Sequence, residues 1–163
     1  MLKITPANSP EHIKTIETLA QKIWNEHYSR ILDQEQICYM LDKFQSFDSI
    51  SEQIQNRYEY YFLEYNDILA GYFSFKREQR FLFISKIYID SNFQKQGIGR
   101  KVIDFCMESA KKANLNKIQL AVNKNNSNAI KAYEKYGFTV IDAVINDIGN
   151  GFVMDDYVLE KQI

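Results

Sequence analysis

The segment from residue 81 to residue 122 constrains the fold most strongly. It opens with an apolar, β-prone run, FLFISKIYI (81–89), and continues through the loop NFQKQGIGRK (92–101). Apolar residues then recur at helical spacing from about residue 97 to residue 113, and a second β-prone run, KIQLAV (117–122), follows. A strand–helix–strand unit of this length predicts a parallel pair of strands joined by a right-handed crossover.

The segments that flank this unit predict antiparallel hairpins. Two aromatic runs, 58–65 and 68–76, precede it and are separated only by the turn residues Asn66 and Asp67. After it, a helix is predicted from about Ser127 to Tyr136. Two further runs, FTVIDAVI (138–145) and FVMDDYVLEK (152–161), then form a hairpin around Asn150-Gly151.

The first third of the chain predicts helices. Ser9 and Pro10 form a helix start, and a second helix is predicted from about Asp33 to Phe44, with a short third one possible near a capping Ser51. The predicted order of helices and strands is ααβββαβαββ. This order indicates an α/β fold, an α+β sandwich in which helices flank a mixed central sheet, antiparallel with a parallel central pair. The length of 163 residues predicts a single domain, 1–163.

Composition excludes several classes of protein. The 20 basic and 21 acidic side chains give a net charge of -1, whereas nucleic-acid binders usually carry a basic excess. The two cysteines, Cys38 and Cys106, are far apart, no CxxC occurs, and His12 and His27 are the only histidines, so no metal site is expected. No segment has the length of a signal peptide core or a membrane span, and a cytoplasmic protein without a membrane partner is expected.

The glycine-containing loop has the chemistry of an anion site. Gln94-x-x-Gly97-x-Gly99 lies where a strand ends and a helix begins, and a helix N-terminus presents unpaired N–H groups with about half a positive charge. Lys95 and Arg100 add positive potential, so the loop suits a pyrophosphate. The pattern is neither a Walker A loop nor G-x-G-x-x-G, and on its own it also fits a plain turn.

A second group of residues lies in the helix after the second strand of the unit. Asn126 and Tyr133 are seven residues apart, nearly two helical turns, and therefore lie on the same side of that helix. Taken singly, Asn126 is typical of a helix cap and Tyr133 of a core residue. Gly137 ends the helix in the usual way.

Together these motifs, over residues 81 to 138, resemble the GNAT superfamily of N-acetyltransferases, loosely its spermidine/diamine-type members. The resemblance implies acetyl-CoA as the cofactor and direct transfer of the acetyl group to a primary amine, without a covalent enzyme intermediate. It also implies a general-acid role for Tyr133. The residues it implies as cofactor-binding are Ile87, Tyr88 and Ile89 beside the pantetheine arm, Gln94, Lys95, Gln96, Gly97, Ile98, Gly99 and Arg100 around the pyrophosphate, and Asn126 and Tyr133.

The resemblance does not identify a general base, because this sequence lacks the acidic residues that relatives carry at the corresponding positions. Ribosomal-protein alanine acetyltransferases carry a glutamate at the position of Ala121, and spermidine-type relatives often carry an acid at the position of Ser85. Glu26 and His27, at the end of the first long helix, are the remaining candidates for the acceptor site. Asp155 and Asp156 in the last strand could attract a cationic amine, but solvated surface charge is the favoured interpretation of both.

The acceptor is predicted to be a small amine or a polyamine. A protein N-terminus or lysine is an alternative acceptor, and a CoA-binding sensor without catalysis is an alternative function. The protein is expected to be a monomer or a homodimer.

Overall fold

The computed structural model describes all 163 residues. The elements in chain order are β1 (Leu2–Pro6), α1 (Pro10–Tyr28), α2 (Gln34–Gln45), α3 (Phe47–Gln55), β2 (Glu59–Tyr65), β3 (Ile68–Arg77), β4 (Leu82–Ile89), a short 3-10 helix (Ser91–Phe93), α4 (Ile98–Lys112), β5 (Lys117–Asn123), α5 (Ser127–Lys135), β6 (Thr139–Gly149) and β7 (Phe152–Gln162). The strands form one seven-stranded sheet in the order β1-β2-β3-β4-β5-β7-β6. The sheet is mixed with one parallel pair, and the predicted fold class is confirmed.

The chain divides into two compact units. The first comprises Met1–Lys76 and Lys86–Val102, and the second comprises Arg77–Ser85 and Ile103–Ile163. The prediction of a single domain stays a prediction.

In the first unit, the helices and antiparallel strands share an apolar and aromatic core. Helix α1 begins with a capping box, in which Ser9 Oγ accepts from the His12 N–H and the His12 ring accepts from the Ser9 N–H. The buried residues of α1 recur at helical spacing and are Ile13, Ile16, Ala20, Ile23 and Trp24. The largest fully buried side chains of this unit are Ile16, Ile23, Ile37, Ile50, Leu63, Tyr72, Phe73 and Phe75.

In the second unit, the predicted parallel pairing is confirmed. Three residues of β4, Leu82 to Ile84, are in register with Ile118 to Leu120 of β5, and the ladder ends there. On its other side β5 pairs antiparallel with β7 along its whole length, and β7 pairs with β6 through the hairpin predicted at Asn150-Gly151. Cys106 is buried on the apolar face of α4, as its spacing predicts.

Two predictions of elements are wrong. The first residues form a strand that was not predicted, because β1 is short and weakly β-prone and owes its conformation to pairing with β2, Leu2 opposite Tyr65. Helix α3 begins earlier than predicted, at Phe47, because Ser46 is its cap and accepts from the Ser49 N–H. Ser51 lies inside the helix instead, where its hydroxyl donates to the Phe47 carbonyl.

Candidate active site

The loop before α4 has the backbone conformation of an anion-binding turn. Lys95 and Gly97 both adopt left-handed conformations, with φ of 61° and 76°. Left-handed residues that alternate with residues of negative φ, as Lys95 and Gly97 do with Gln96 between them, arrange successive N–H groups around a concave surface. The N–H groups of Lys95 and Gly97 donate to no acceptor in the protein, and those of Ile98 and Gly99 lie in the first helical turn, which provides none.

The space beside this loop is open. A Cβ built on Gly97 would meet no atom within 4 Å, and the residues from Gln94 to Gly97 are exposed. Ile98, in contrast, is only 2% exposed and fixes the start of α4 in the core. A rigid helix start therefore carries a solvent-facing row of unpaired donors, which is what a phosphate requires.

The last two turns of α1 are fastened to this loop. Lys22 Nζ lies 2.6 Å from a carboxylate oxygen of the buried Asp90, which directly follows β4. Glu26 accepts a hydrogen bond of 2.8 Å from the Ser91 hydroxyl. Lys22 and Glu26 are thus i,i+4 neighbours that hold two successive residues of the loop.

His27 makes the third of these connections. Its Nε2 lies 2.8 Å from the side-chain amide nitrogen of Gln94, and its ring also hydrogen-bonds the backbone of Ile89. Burial lowers the pKa of His27, and its bond to Ile89 opposes this only in part. The ring is therefore neutral at pH 7, which lets Nε2 accept from Gln94. The structure places the predicted site residues Glu26, His27, Ile89 and Gln94 together.

The end of β4 is shaped by a close approach from β3. A Cβ on Gly71 would lie 2.2 Å from the Tyr88 carbonyl oxygen and 3.1 Å from the Ile89 Cα, so only glycine fits there. The Asp90 N–H donates to the Ala70 carbonyl at 2.8 Å, which continues the strand contact. The Tyr88 ring is 5.5 Å from that of Trp24, which limits its rotation.

The sequence did not predict the buried polar cluster around Lys86. Lys86 is 6% exposed, and its ammonium donates to the Phe44 carbonyl at 2.6 Å, the Tyr60 hydroxyl at 2.6 Å and Gln53 Oε1 at 3.0 Å. The Tyr60 hydroxyl also donates to Gln53. Burial lowers the pKa of Lys86 to about 7. The signal was its position in FLFISKIYI, in phase with the buried Leu82 and Ile84.

In the second unit, Asn126 and Tyr133 lie on α5. Asn126 is the cap of this helix and accepts from the Ala129 N–H at 3.4 Å, so the structural interpretation of its position is correct. Tyr133 is half-buried, and its ring meets the buried Phe138 edge-on, with the centroids 5.7 Å apart. The capping hydrogen bond fixes the position of the Asn126 side chain, and the contact with Phe138 fixes the position of the Tyr133 ring.

The surface interpretation of Asp156 is wrong. Successive strand residues point to opposite faces of a sheet, and Asp155 is half-exposed and bound to Lys124 at 2.6 Å. Asp156 is 5% exposed, because its side chain stands on the sheet face between Asn123 and Val144. Burial, and secondly the charge of Asp155, raise the pKa of Asp156.

Comparison with known proteins decides the family. The family profile described as the acetyltransferase (GNAT) domain matches residues 12–160. The chain belongs to the GNAT family. Among curated proteins, this GNAT chain is 32% identical over 104 residues to a probable N-acetyltransferase, san, of Drosophila melanogaster. That alignment covers 61% of the chain and 56% of the fly protein, so the chain spans little more than half of its relative's length.

Solved structures share the fold of this GNAT chain. The PaiA N-acetyltransferase of Thermoplasma acidophilum in complex with coenzyme A superimposes with a TM-score of 0.84 at 20% identity, covering 100% of this chain and 99% of that one. A GNAT family acetyltransferase from Elizabethkingia anophelis with acetyl-CoA bound gives a TM-score of 0.64 at 19% identity, covering 99% and 98%.

The predicted site residues of the GNAT chain fall into two groups. The end of β4, the loop and the candidates Glu26 and His27 belong to the first unit, and Asn126 and Tyr133 belong to the second. No helix is long and apolar enough to cross a membrane. No cluster of three or more histidine, cysteine, aspartate or glutamate side chains is arranged to hold a metal ion.

Proposed function

We propose that the chain transfers the acetyl group of acetyl-CoA to the primary amine of a small amine or polyamine. The observation that carries the proposal is the set of unpaired N–H groups of Lys95, Gly97, Ile98 and Gly99, at a helix start with two left-handed residues. These donors fit a pyrophosphate, an anionic part of CoA. That the similar PaiA structure holds coenzyme A adds support.

The roles of the cofactor-binding residues follow the GNAT resemblance. The backbone of Gln94 to Arg100 receives the pyrophosphate, and Lys95 and Arg100 supply positive potential around it. The backbone of Ile87, Tyr88 and Ile89 pairs with the pantetheine arm, as an added strand pairs with a sheet edge. Asn126 contacts the cofactor in addition to capping α5. When bound, the cofactor supplies a thioester, which is an activated acetyl group.

Tyr133 is proposed as the general acid that gives its hydroxyl proton to the departing thiolate. A thiol has an ordinary pKa of about 8.5 and a tyrosine about 10, so the donation helps the reaction without being obligatory. No covalent intermediate on a cysteine is needed. Cys106 is buried, and burial raises the pKa of its thiol, which makes a nucleophilic role for it unfavourable.

The acceptor must lose a proton before it can attack. An alkylamine with a pKa of about 10.4 is neutral in only about one molecule in 2,500 at pH 7. A group in the protein that binds the ammonium and takes its proton therefore raises the rate.

The experiment is a free-thiol release assay with acetyl-CoA and a panel of acceptors. The panel contains spermidine, putrescine, a peptide with a free N-terminus and a lysine peptide with a blocked one. We expect thiol release that depends on the acceptor and is fastest with spermidine or putrescine. Thiol release with the peptides alone would show that the acceptor is a protein N-terminus or a lysine and not a small amine. Binding of CoA in calorimetry without any acceptor-dependent release would overturn the proposal in favour of a sensor.

A further inference from the structure

We propose that Asp156 receives the acceptor, binding its ammonium group and then taking up its proton as the general base. This inference rests on the proposed function, since it assigns the acceptor end of the same reaction. Five observations in the second unit lead to it.

The first observation is that Asp156 is a buried carboxylate without a partner. It is 5% exposed, yet its side chain makes no hydrogen bond and no ion pair. Buried charges in proteins are nearly always paired, because removing an isolated carboxylate from water is costly. An unpaired buried carboxylate lowers the stability of the fold, and such groups concentrate at functional sites.

The second observation is that the nearby cation is already engaged elsewhere. Lys124 Nζ lies 2.6 Å from Asp155 Oδ1 and 5.5 Å from the centroid of the Tyr157 ring. Asp155 and Tyr157 are two residues apart in β7 and share one sheet face, whereas Asp156 points to the other. Lys124 therefore forms its ion pair with Asp155 and none with Asp156, on which it acts only through its charge.

The third observation concerns the sheet surface around Asp156. Residues directly opposite each other in antiparallel strands share a face, so Asp156 shares one with Asn123 and Val144, and Val158 shares the same one with Ala121. Ala121 is the single exposed residue of β5. Its methyl group is too small to cover the strand, so an open patch of sheet lies diagonally beside the carboxylate.

The fourth observation is that no side chain of the patch competes for the carboxylate. Val144 and Val158 are apolar, and the Asn123 side-chain oxygen accepts instead from the Asn125 N–H at 2.9 Å. The same face also carries Asp142, which lies opposite Val158 but is exposed and accepts from the Ala143 N–H. An apolar surface with the buried carboxylate of Asp156 at its edge recognises an alkylammonium group, because the methylene chain lies on the valines and the charge meets its opposite.

The fifth observation is electrostatic. Burial and the charge of Asp155 raise the pKa of Asp156, while Lys124 opposes them. A carboxylate of raised pKa takes up a proton more readily than an ordinary one, which brings it closer to the amine in acidity.

The proton balance of the reaction is complete with this assignment. Asp156 accepts one proton from the ammonium, which leaves a lone pair on the nitrogen. The nitrogen forms a bond to the thioester carbon, the carbon–sulfur bond breaks, and its electron pair leaves on sulfur. The nitrogen then loses its second proton, which restores the Tyr133 hydroxyl after that hydroxyl has protonated the departing thiolate. The proton on Asp156 passes to solvent, so each turnover releases one proton.

The test compares Asp156→Asn with Asp155→Asn, two isosteric changes at neighbouring positions on opposite faces. With spermidine as acceptor, we expect Asp156→Asn to lower kcat/KM by about 10²-fold or more, the usual effect of losing a general base. Asp155→Asn is expected to stay within about threefold, since it loses only a half-exposed ion pair. A kcat/KM of Asp156→Asn within threefold of the wild type overturns the assignment.

Stability separates a functional carboxylate from a structural one. Removing an unpaired buried charge is expected to leave the melting temperature of Asp156→Asn unchanged or higher. A fall of several degrees in that variant, with Asp155→Asn unaffected, would show that Asp156 holds the fold together and would overturn the proposal.

A third measurement does not depend on turnover. The side-chain carboxyl ¹³C resonances of Asp155 and Asp156 are followed while n-butylammonium is added to the wild-type protein, with n-butanol as the uncharged control. We expect the Asp156 resonance to shift with n-butylammonium alone and the Asp155 resonance to stay in place. If the wild type shows no acetyl transfer with any acceptor, this titration still decides: a selective shift supports a cation site at Asp156, and no shift overturns it.

Discussion

The His27 imidazole and the Gln94 side-chain amide lie 2.8 Å apart, which joins the last turn of α1 to the loop before α4. Since the same ring hydrogen-bonds the backbone of Ile89, one side chain holds both the strand end and the loop. His27, predicted as a candidate for the acceptor site, is thus in a position to orient the proposed cofactor loop.

Replacement of His27 by alanine should weaken the use of acetyl-CoA. The loss of the hydrogen bond to Gln94 alone corresponds to about 0.5–1.5 kcal/mol, so we expect the KM for acetyl-CoA to rise about 2- to 12-fold or more with kcat little changed. His12→Ala is the matched control, because it removes the other histidine of the same helix, with its capping contact and its edge-on contact with Phe62, and touches no residue of the loop. Equal KM values for the two variants would contradict the orienting role.

Replacement of Gly97 by valine should impair CoA binding more than loss of a nearby charge. Valine is strained at the φ of 76° and places a side chain in the open space beside the donors. We expect the Kd for CoA in calorimetry to rise at least about tenfold, against about threefold or less for Lys101→Ala, whose charge is exposed and screened.

A matched control for Gly97→Val exists in the β6–β7 turn. Gly151 has a φ of 79° and equally open surroundings, so Gly151→Val imposes the same backbone strain away from the loop. It should lose comparable stability and keep its affinity for CoA. A larger effect of Lys101→Ala than of Gly97→Val would mean that side-chain charge, and not backbone geometry, binds the cofactor.

Replacement of Tyr133 by phenylalanine should slow turnover by at most about 10²-fold, because the thiolate can leave without a donor. The change should appear in kcat, with the KM for acetyl-CoA nearly constant. Tyr136→Phe, at the end of the same helix, controls for the loss of a hydroxyl. An unchanged kcat in Tyr133→Phe would refute the general-acid assignment.

The burial of Lys86 should make stability depend on pH above neutrality. Its pKa is about 7 in the folded protein and 10.5 ordinarily, so the unfolded chain binds more protons between these values. The free energy of unfolding contributed by this group therefore rises with pH from about 7 to 10.5, by at most about 1.4 kcal/mol per pH unit.

Urea denaturation at pH 7, 8, 9 and 10 measures the effect of Lys86. We expect Lys86→Met to flatten the rise and the exposed Lys14→Met to preserve it. A rise of the same slope in Lys86→Met would assign the pH dependence to other groups.

Most of the fold was predictable because hydrophobic periodicity determines it locally. The predicted helix from 97 to 113 is observed at Ile98–Lys112, and the predicted turn at Asn150-Gly151 lies between β6 and β7. Strand β1 was not predictable in this way, because its five residues gain their conformation from β2, some sixty residues away.

The site was predictable in its backbone and not in its charged groups. Glycine spacing and a helix start identify the anion loop from the sequence alone. The alternation of a strand indicates that either Asp155 or Asp156 faces inward, but which one depends on the register of β7 against β5 and β6. The burial of Lys86 was likewise not predictable, because its hydrogen-bond acceptors belong to α2, α3 and β2, which are distant in sequence.

Gly71 gives β3 a role in the chemistry that no contact with substrate would reveal. Every other amino acid has a Cβ, so any substitution there must displace the Tyr88 carbonyl by nearly an ångström. The strand edge proposed to receive the pantetheine arm is thus positioned by a missing atom on its neighbour. If the pantetheine arm binds along β4, natural selection should keep glycine at position 71 because a side chain there would displace the backbone that binds the cofactor.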